Sequence, residues 1–315
     1  MTSLHLVFVM DPIETIRYYK DSTFALLEAA QRRGHQNYYM LPEGLIFKEQ
    51  RVWGRMYPIT VERADPCFSL GDECLRPLGQ THAVFMRKDP PFDMDYIFNT
   101  YLLELAAAET LVLNHPASLR SVNEKLFALH FPDFIPRTLV SSDRAEIRAF
   151  VTQESKAVLK PLDAKGGEGV FILKADDSNL NALLDLMTRD GLRKIVVQQY
   201  IPEARAGDKR VLMIDGEICG WFQRVPAAGE HRANLNAGGQ AVACELTAHD
   251  REICAAVGPA LKAAGLYFVG LDIIGDYLIE INVTSPTGMQ EALQLTGHHA
   301  ADRLLDRVEA MVKQV

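Results

Sequence analysis

Near the C-terminus, the run Phe268-Val-Gly-Leu-Asp272-Ile-Ile-Gly275-Asp276-Tyr-Leu-Ile-Glu280-Ile-Asn282-Val-Thr-Ser285-Pro286-Thr-Gly288 sets three oxygen-donor side chains, Asp272, Glu280 and Asn282, in two otherwise apolar segments. The segments read as buried strands meeting at a hairpin around Gly275-Asp276, where an isolated charge is very costly. A hard divalent cation resolves that conflict, because Mg²⁺ takes one or two carboxylates together with substrate phosphate oxygens. An edge hairpin with solvated acids is the competing reading of the segment alone. Glu280 and Asn282, two apart, point to one face of a strand, and Ile279, Ile281 and Val283 to the other. Asp272 joins the first face only if the connection is a three-residue or bulged turn, Gly275 to Tyr277, that brings Asp272 opposite Glu280. A strict two-residue turn would place them on opposite sides.

Other residues could handle phosphate. Lys160 ends an apolar strand five residues before Lys165-Gly166-Gly167-Glu168-Gly169; glycines let the backbone approach a ligand and offer amides to its oxygens. The run is neither a P-loop nor a dinucleotide fingerprint, and by itself it also reads as a plain turn. The strand Val196–Tyr200 breaks at Ile201-Pro202, where freed backbone groups could meet the edge of a purine. Arg210, Arg224 and Arg232 supply planar donor forks suited to carboxylate and phosphoryl oxygens, provided that they converge on the acidic hairpin. The polar stretch from Pro226 to Gly239 reads as a mobile lid or as an ordinary surface loop.

These groups need scaffolds. Strand and helix signals alternate in the first third: strands at Leu4–Met10, Asn37–Leu41, Ala83–Met86 and Leu111–Leu113, with helices at Ser22–Arg33 and Met94–Glu109. That rhythm implies an open parallel sheet. Residues 43–80 read as loops with edge strands. Next come helices at Asn123–Leu129 and Arg144–Gln153, a strand to Pro161, a strand Val170–Leu173, a helix Leu180–Met187 and a strand Lys194–Tyr200. The last region carries strands Lys209–Ile214 and Gly220–Arg224, a helix Ala248–Ala264, the acidic hairpin and a helix Ala300–Val312. The fold class is α/β (α+β), with units at 1–121, 122–200 and 201–315.

The 315 residues, 48% hydrophobic and 23% charged, describe an ordinary globular protein. A net charge of −8 argues against nucleic-acid binding, and no apolar run is long enough to span a bilayer. Cys67, Cys74, Cys219, Cys244 and Cys254 lack metal-ligand spacing, which reads as reduced thiols in a cytoplasmic protein.

In order along the chain, Lys125, Lys160 with its glycine loop, the Gln198–Pro202 strand end, Arg210 and Asp272…Glu280-x-Asn282 resemble the ATP-grasp ligases. Met10-Asp-Pro12, Lys20-Asp-Ser22, Met86-Arg-Lys-Asp-Pro-Pro-Phe-Asp93, Asn123-Glu-Lys-Leu-Phe127, Gly207-Asp-Lys-Arg-Val211 and the hairpin through Thr287 are similar to the bacterial glutathione synthetases within that superfamily. The resemblance spans the whole chain. It implies a two-unit ATP-grasp fold behind the N-terminal sheet, and ATP-dependent joining of γ-glutamylcysteine and glycine. It places Lys125, Lys160, Gly166, Gly167, Gln199, Tyr200, Ile201 and Asp208 on ATP. Asp272, Glu280 and Asn282 would hold two Mg²⁺ or Mn²⁺ ions, and Arg210, Arg224 and Arg232 would act on the reacting groups. Asp11, Ser22, Arg87, Ser285 and Gly288 fall to the substrates, and the family precedent is a homotetramer. A ligase joining another acid and amine is the alternative. The chain departs from the family at Ala164, in a loop that usually reads Asp-Gly-x-Gly-Gly, and at Ala233. Ala164 would stiffen the loop if its position needs positive φ.

Overall fold

The computed structural model describes residues 3–164, 166–230, 232–235 and 238–313. Its three sheets follow from three different hydrophobic patterns. In the first, His5–Val9 lies between Gln36–Met40 and Ala83–Met86, and Leu111–Leu113 follows, all parallel. Strands buried on both faces are apolar throughout. Val7 and Val9 enter a core beneath helix Met94–Ala106, and Leu6 and Phe8 enter a core shared with helices Ser22–Arg32 and Ala300–Val312. Phe8 and Phe85 stack at 4.8 Å between ring centres.

Residues 43–80 are more regular than expected. An eleven-residue strand, Arg51–Val61, pairs antiparallel with Gln36–Met40 and carries Leu45–Lys48, Phe68–Leu70 and Cys74–Pro77 along its length. Its inward alternation of Val52, Gly54, Met56, Ile59 and Val61 is obscured in sequence by a glycine and by Pro58. A Cβ on the inward Gly54 would stand 2.7–2.9 Å from the side-chain ends of Met56, Met40 and Leu78.

The second sheet, order Phe171–Lys174, Lys156–Pro161, Ile195–Gln199, Thr138–Ser141, is antiparallel throughout. One face packs Ala157, Leu159, Ile195 and Val197 on helices Arg144–Glu154 and Leu180–Thr188, as a core of its own. The other face carries Val158, Lys160 and Gln198. The expected helix at Asn123–Leu129 is absent, with only a 3₁₀ turn at Phe127–His130. Asn123 Oδ1 accepts the Lys125 and Leu126 amides, a local bond that competes with helix formation.

The third sheet runs Gln240–Val242, Glu217–Val225, Asp208–Ile214, Phe268–Ile274, Tyr277–Asn282. In its acidic hairpin Ile274 pairs with Tyr277, so the turn has two residues, Gly275 and Asp276, rather than three. The extra residue lies inside the second strand. The register shifts beyond Ile273–Leu278, leaving Ile279 bulged, and Asp272 then faces Glu280 and Gly270 faces Asn282. The bulge also turns Ile279 into the same cavity as Glu280, whereas Ile281 and Val283 are buried in the core as expected.

Candidate active site

Antiparallel register builds the centre of the site. Arg210 opposes Asp272, and Asp208 opposes Arg224. Arg210 grips Asp272 with both arms, Nε–Oδ1 2.6 Å and Nη2–Oδ2 3.1 Å, and donates to the Thr287 carbonyl at 3.1 Å. Arg224 donates to both oxygens of Asp208 and lies 2.9 Å from Asp272 Oδ2. Burial alone would raise the Asp272 carboxyl, but the two guanidinium groups overcome it and hold the group at about 2. For Asp208 burial wins over Arg224, and its carboxyl is pushed up. Arg232 does not join this cluster; it pairs with Glu230 of its own loop at 2.6 Å. Only two of the three arginines converge on the hairpin.

Glu280 stands opposite Asp272 and receives Lys125 Nζ at 3.1 Å. Asn282 Nδ2 donates to Asp272 Oδ2 and to the Gly270 carbonyl, both at 3.2 Å, which leaves the amide oxygen as its donor atom toward a cation. No group of three His, Cys, Asp or Glu side chains forms a metal cage among the described residues. The set present, two carboxylates and an amide oxygen on one sheet face, fits a hard cation that completes its shell with phosphate oxygens.

A cavity of about 140 Å³ lies between the second and third sheets, lined by Val158, Ile172, Tyr200, Ile274 and Ile279 together with Lys125 and Lys160. Lys160 Nζ donates to Gln198 Oε1 at 2.7 Å. Burial pulls its ammonium down to about 8, with Lys125 adding to this against the attraction of Glu280 and Asp272. Lys125 Nζ also donates to the Ala164 carbonyl at 2.8 Å, tying the glycine loop to the hairpin. Gly166 and Gly167 take φ of +62° and +82°, but Ala164 is not among the residues with positive φ, so it adds no strain. A Cβ on Gly167 would meet Asn234 at 2.7 Å and Arg232 at 3.0 Å; the glycine loop and the 226–239 loop touch. Lys165, His231, Asn236 and Ala237 of these loops lie outside the described residues. At the broken strand end, the Gln199 and Tyr200 amides donate to Arg137 and Lys156 carbonyls. Among the described residues none accepts from the Ile201 amide, which remains for a ligand edge.

A wider cleft of about 970 Å³ adjoins this cavity, and Glu280, Gly166 and Glu168 border both. Asp11, Arg87 and Ser285 line it, together with Arg210, Arg224 and Asn282. Asp11 pairs with Lys88 at 2.8 Å, and Arg87 donates to the Pro286 carbonyl at 2.9 Å. Ser22 and Gly288 stand behind the wall. Ser22 is fully buried, and its Oγ accepts the Gly288 and Met289 amides at 3.0 and 3.1 Å. Sequence reasoning missed Asp21, Glu124 and Glu291, which also line the cleft. Glu124 had only its place beside Lys125 as a signal, since its partners lie 159 and 160 residues away.

Residues 124–297 match the family described as prokaryotic glutathione synthetase, ATP-grasp domain, and residues 4–120 match its N-terminal domain. A glutathione synthetase of Pseudomonas putida is 47% identical, with 99% of each chain covered. One of Synechococcus elongatus is 45% identical over 99% of this chain and all of its own length. A crystal structure of D-cycloserine synthetase DcsG superposes with a TM-score of 0.68 at 16% identity, covering 98% of this chain and 99% of that one, a likeness of fold alone. Two buried arginines on a carboxylate, paired lysines under a glycine loop and two family matches that together run from residue 4 to 297 lead to one conclusion: this chain belongs to the prokaryotic glutathione synthetase family, with an ATP-grasp fold after its N-terminal domain.

Proposed function

We propose that the chain joins γ-glutamylcysteine to glycine using ATP, releasing glutathione, ADP and phosphate through an acyl phosphate. The observation that carries this reading is the junction of a lysine-lined cavity with a wide cleft at Glu280, with Asp272 on the cavity side and its partners Arg210 and Arg224 on the cleft side. Lys125 and Lys160 meet the phosphates of ATP, the amides of Gly166 and Gly167 cover them, and Gln199 to Ile201 face adenine. Asp208 keeps Arg224 charged and in place.

A carboxylate in water does not acylate an amine, so its oxygen first attacks the γ-phosphorus and ADP leaves. Glycine's amine then attacks the acyl carbon, and phosphate leaves with the carboxylate oxygen. Both steps depend on positioning and on charge neutralisation. Arg210 and Arg224 are already oriented by carboxylates and pass from the phosphoryl group to the tetrahedral carbon. Asp272, Glu280 and Asn282 would hold divalent cations, two Mg²⁺ or Mn²⁺ ions, which when bound offset the charge of the phosphate oxygens. The contact of the glycine loop with the 226–239 loop, including Arg232, supports a lid that keeps water from the acyl phosphate. Asp11, Arg87 and Ser285 border the peptide's path, and Ser22 holds the Gly288 turn.

Units at 1–121, 122–200 and 201–315, a cytoplasmic setting and a homotetramer complete the proposal. Among the described residues no helix is long and apolar enough to cross a membrane. Met94, Phe98, Tyr101 and Leu105, aligned and more than half exposed on one helix, support self-association. The test is phosphate release from ATP with γ-glutamylcysteine and glycine, each omitted in turn; release that does not depend on both refutes the assignment.

A further inference from the structure

Glu124 is a half-buried acid at the wall of the cleft with no part in the steps above. Its Oε1 accepts three hydrogen bonds, from the amides of Val283 (2.8 Å) and Thr284 (3.0 Å) and from Thr284 Oγ1 (2.9 Å). Its main-chain carbonyl accepts the Ile281 amide at 2.9 Å. One residue therefore pins the chain on both sides of Asn282. The neighbouring residues extend the grip: Lys125 reaches Glu280 and the Ala164 carbonyl, and Asn123 Nδ2 donates to the Leu162 carbonyl at 3.0 Å. Three consecutive residues thus join the hairpin's end, the glycine loop and the loop that leads through Ser285 to Gly288. Burial pushes the Glu124 carboxyl up, and the nearby Glu280 carboxylate adds to this; the Thr284 and Val283 donors work the other way. With three donors on one oxygen, the side chain is an acceptor that an apolar side chain could not replace.

We propose that Glu124 is a positioning residue for the ligation, holding Asn282 and the 283–288 loop in register with Glu280 and Lys125. The inference rests on the ligase reading of the site. Its test compares full-length wild type with Glu124→Gln, Glu124→Ala and Thr284→Val. The readouts are kcat, KM for each substrate, calorimetric ADP affinity, the urea midpoint and hydrogen exchange at the Val283 and Thr284 amides. Glu124→Gln keeps Oε1 as an acceptor for all three donors and stays within about threefold of wild type. Glu124→Ala lowers kcat about 10- to 100-fold, the range for losing a charge-assisted bond. Its ADP affinity stays within about threefold, and the two amides exchange faster. Thr284→Val, which removes one donor, gives a drop of roughly three- to tenfold; it decides the matter if Glu124→Ala does not fold, a wild-type result then overturning the proposal. Normal turnover in Glu124→Ala overturns it. So does a Glu124→Gln as damaged as Glu124→Ala, or a loss of ADP affinity equal to the loss of kcat. A wild type that shows no glycine-dependent phosphate release defeats the ligase reading instead, and the exchange arm, which needs no substrate, still judges Glu124.

Discussion

Replacing Asp272 with Asn tests whether the arginine–carboxylate cluster is organised as described. The wild-type side chain takes both arms of Arg210, one contact from Arg224 and one from Asn282. Asn keeps the shape, removes the charge and turns an NH₂ against arginine donors. Arg210 and Arg224 are then left with Asp208 as the only carboxylate of the cluster. Breaking a buried ion pair by neutralising one partner costs about 3–5 kcal/mol. The same carboxylate, held at about 2 in place of its ordinary 3.8, contributes about 2 kcal/mol through its ionisation alone. Since the folded value lies below the ordinary one, that share is complete above about pH 4 and lost as pH falls toward 2. Urea unfolding followed by tryptophan fluorescence reads both effects. One of the two tryptophans, Trp221, shares a strand with Arg224, and its ring lies 4.2 Å from that of His298. The expected loss for Asp272→Asn at pH 7 is about 3 kcal/mol or more, and it narrows below pH 4. Lys262→Ala, which removes an exposed ammonium 3.6 Å from the half-buried Asp215, serves as the control at less than about 1 kcal/mol. An Asp272→Asn protein within 1 kcal/mol of wild type at pH 7, or a loss that does not change with acid, refutes the reasoning.

Glu280→Gln leaves the urea midpoint near wild type and lowers ligation by orders of magnitude while raising the Mg²⁺ needed for half-activity; normal turnover at low Mg²⁺ contradicts the metal face. Lys160→Met stabilises the ligand-free protein by up to about 3 kcal/mol at pH 7, because burial holds the wild-type ammonium at about 8 against 10.5. The sign follows: wild-type stability rises as pH climbs from 8 to 10.5, the variant's does not, and a variant less stable than wild type at pH 7 refutes the burial argument. Gly167→Ala forces a Cβ at φ +82° toward Asn234 and Arg232, which loosens the loop contact. It raises the ratio of phosphate to glutathione formed, and an unchanged ratio contradicts the lid.

Much of the site was legible from residue types and spacing. Asp272, Glu280 and Asn282 stood out because polar groups interrupt apolar strands, and Lys160 because it precedes a glycine run. What stayed hidden depends on register. An extra residue in a hairpin has the same sequence signature in the turn as in the strand, so the bulge at Ile279 could not be told from a three-residue loop. Arginine types were visible, but only the pairing of Asp208 with Arg224 and of Arg210 with Asp272 decides which of them converge; Arg232 belongs to Glu230 instead. Glu124 showed only as a neighbour of Lys125, because its three donors come from the far end of the chain. In the fold, Gly54 and Pro58 masked the strand Arg51–Val61, and the Asn123 side chain replaced a helix with a local turn.

The most direct measurement follows oxygen rather than rate. With γ-glutamylcysteine carrying ¹⁸O in its cysteinyl carboxylate, a reaction through an acyl phosphate transfers one labelled oxygen to inorganic phosphate for each glutathione formed. Unlabelled phosphate, or labelled phosphate without glutathione when glycine is present, contradicts the account.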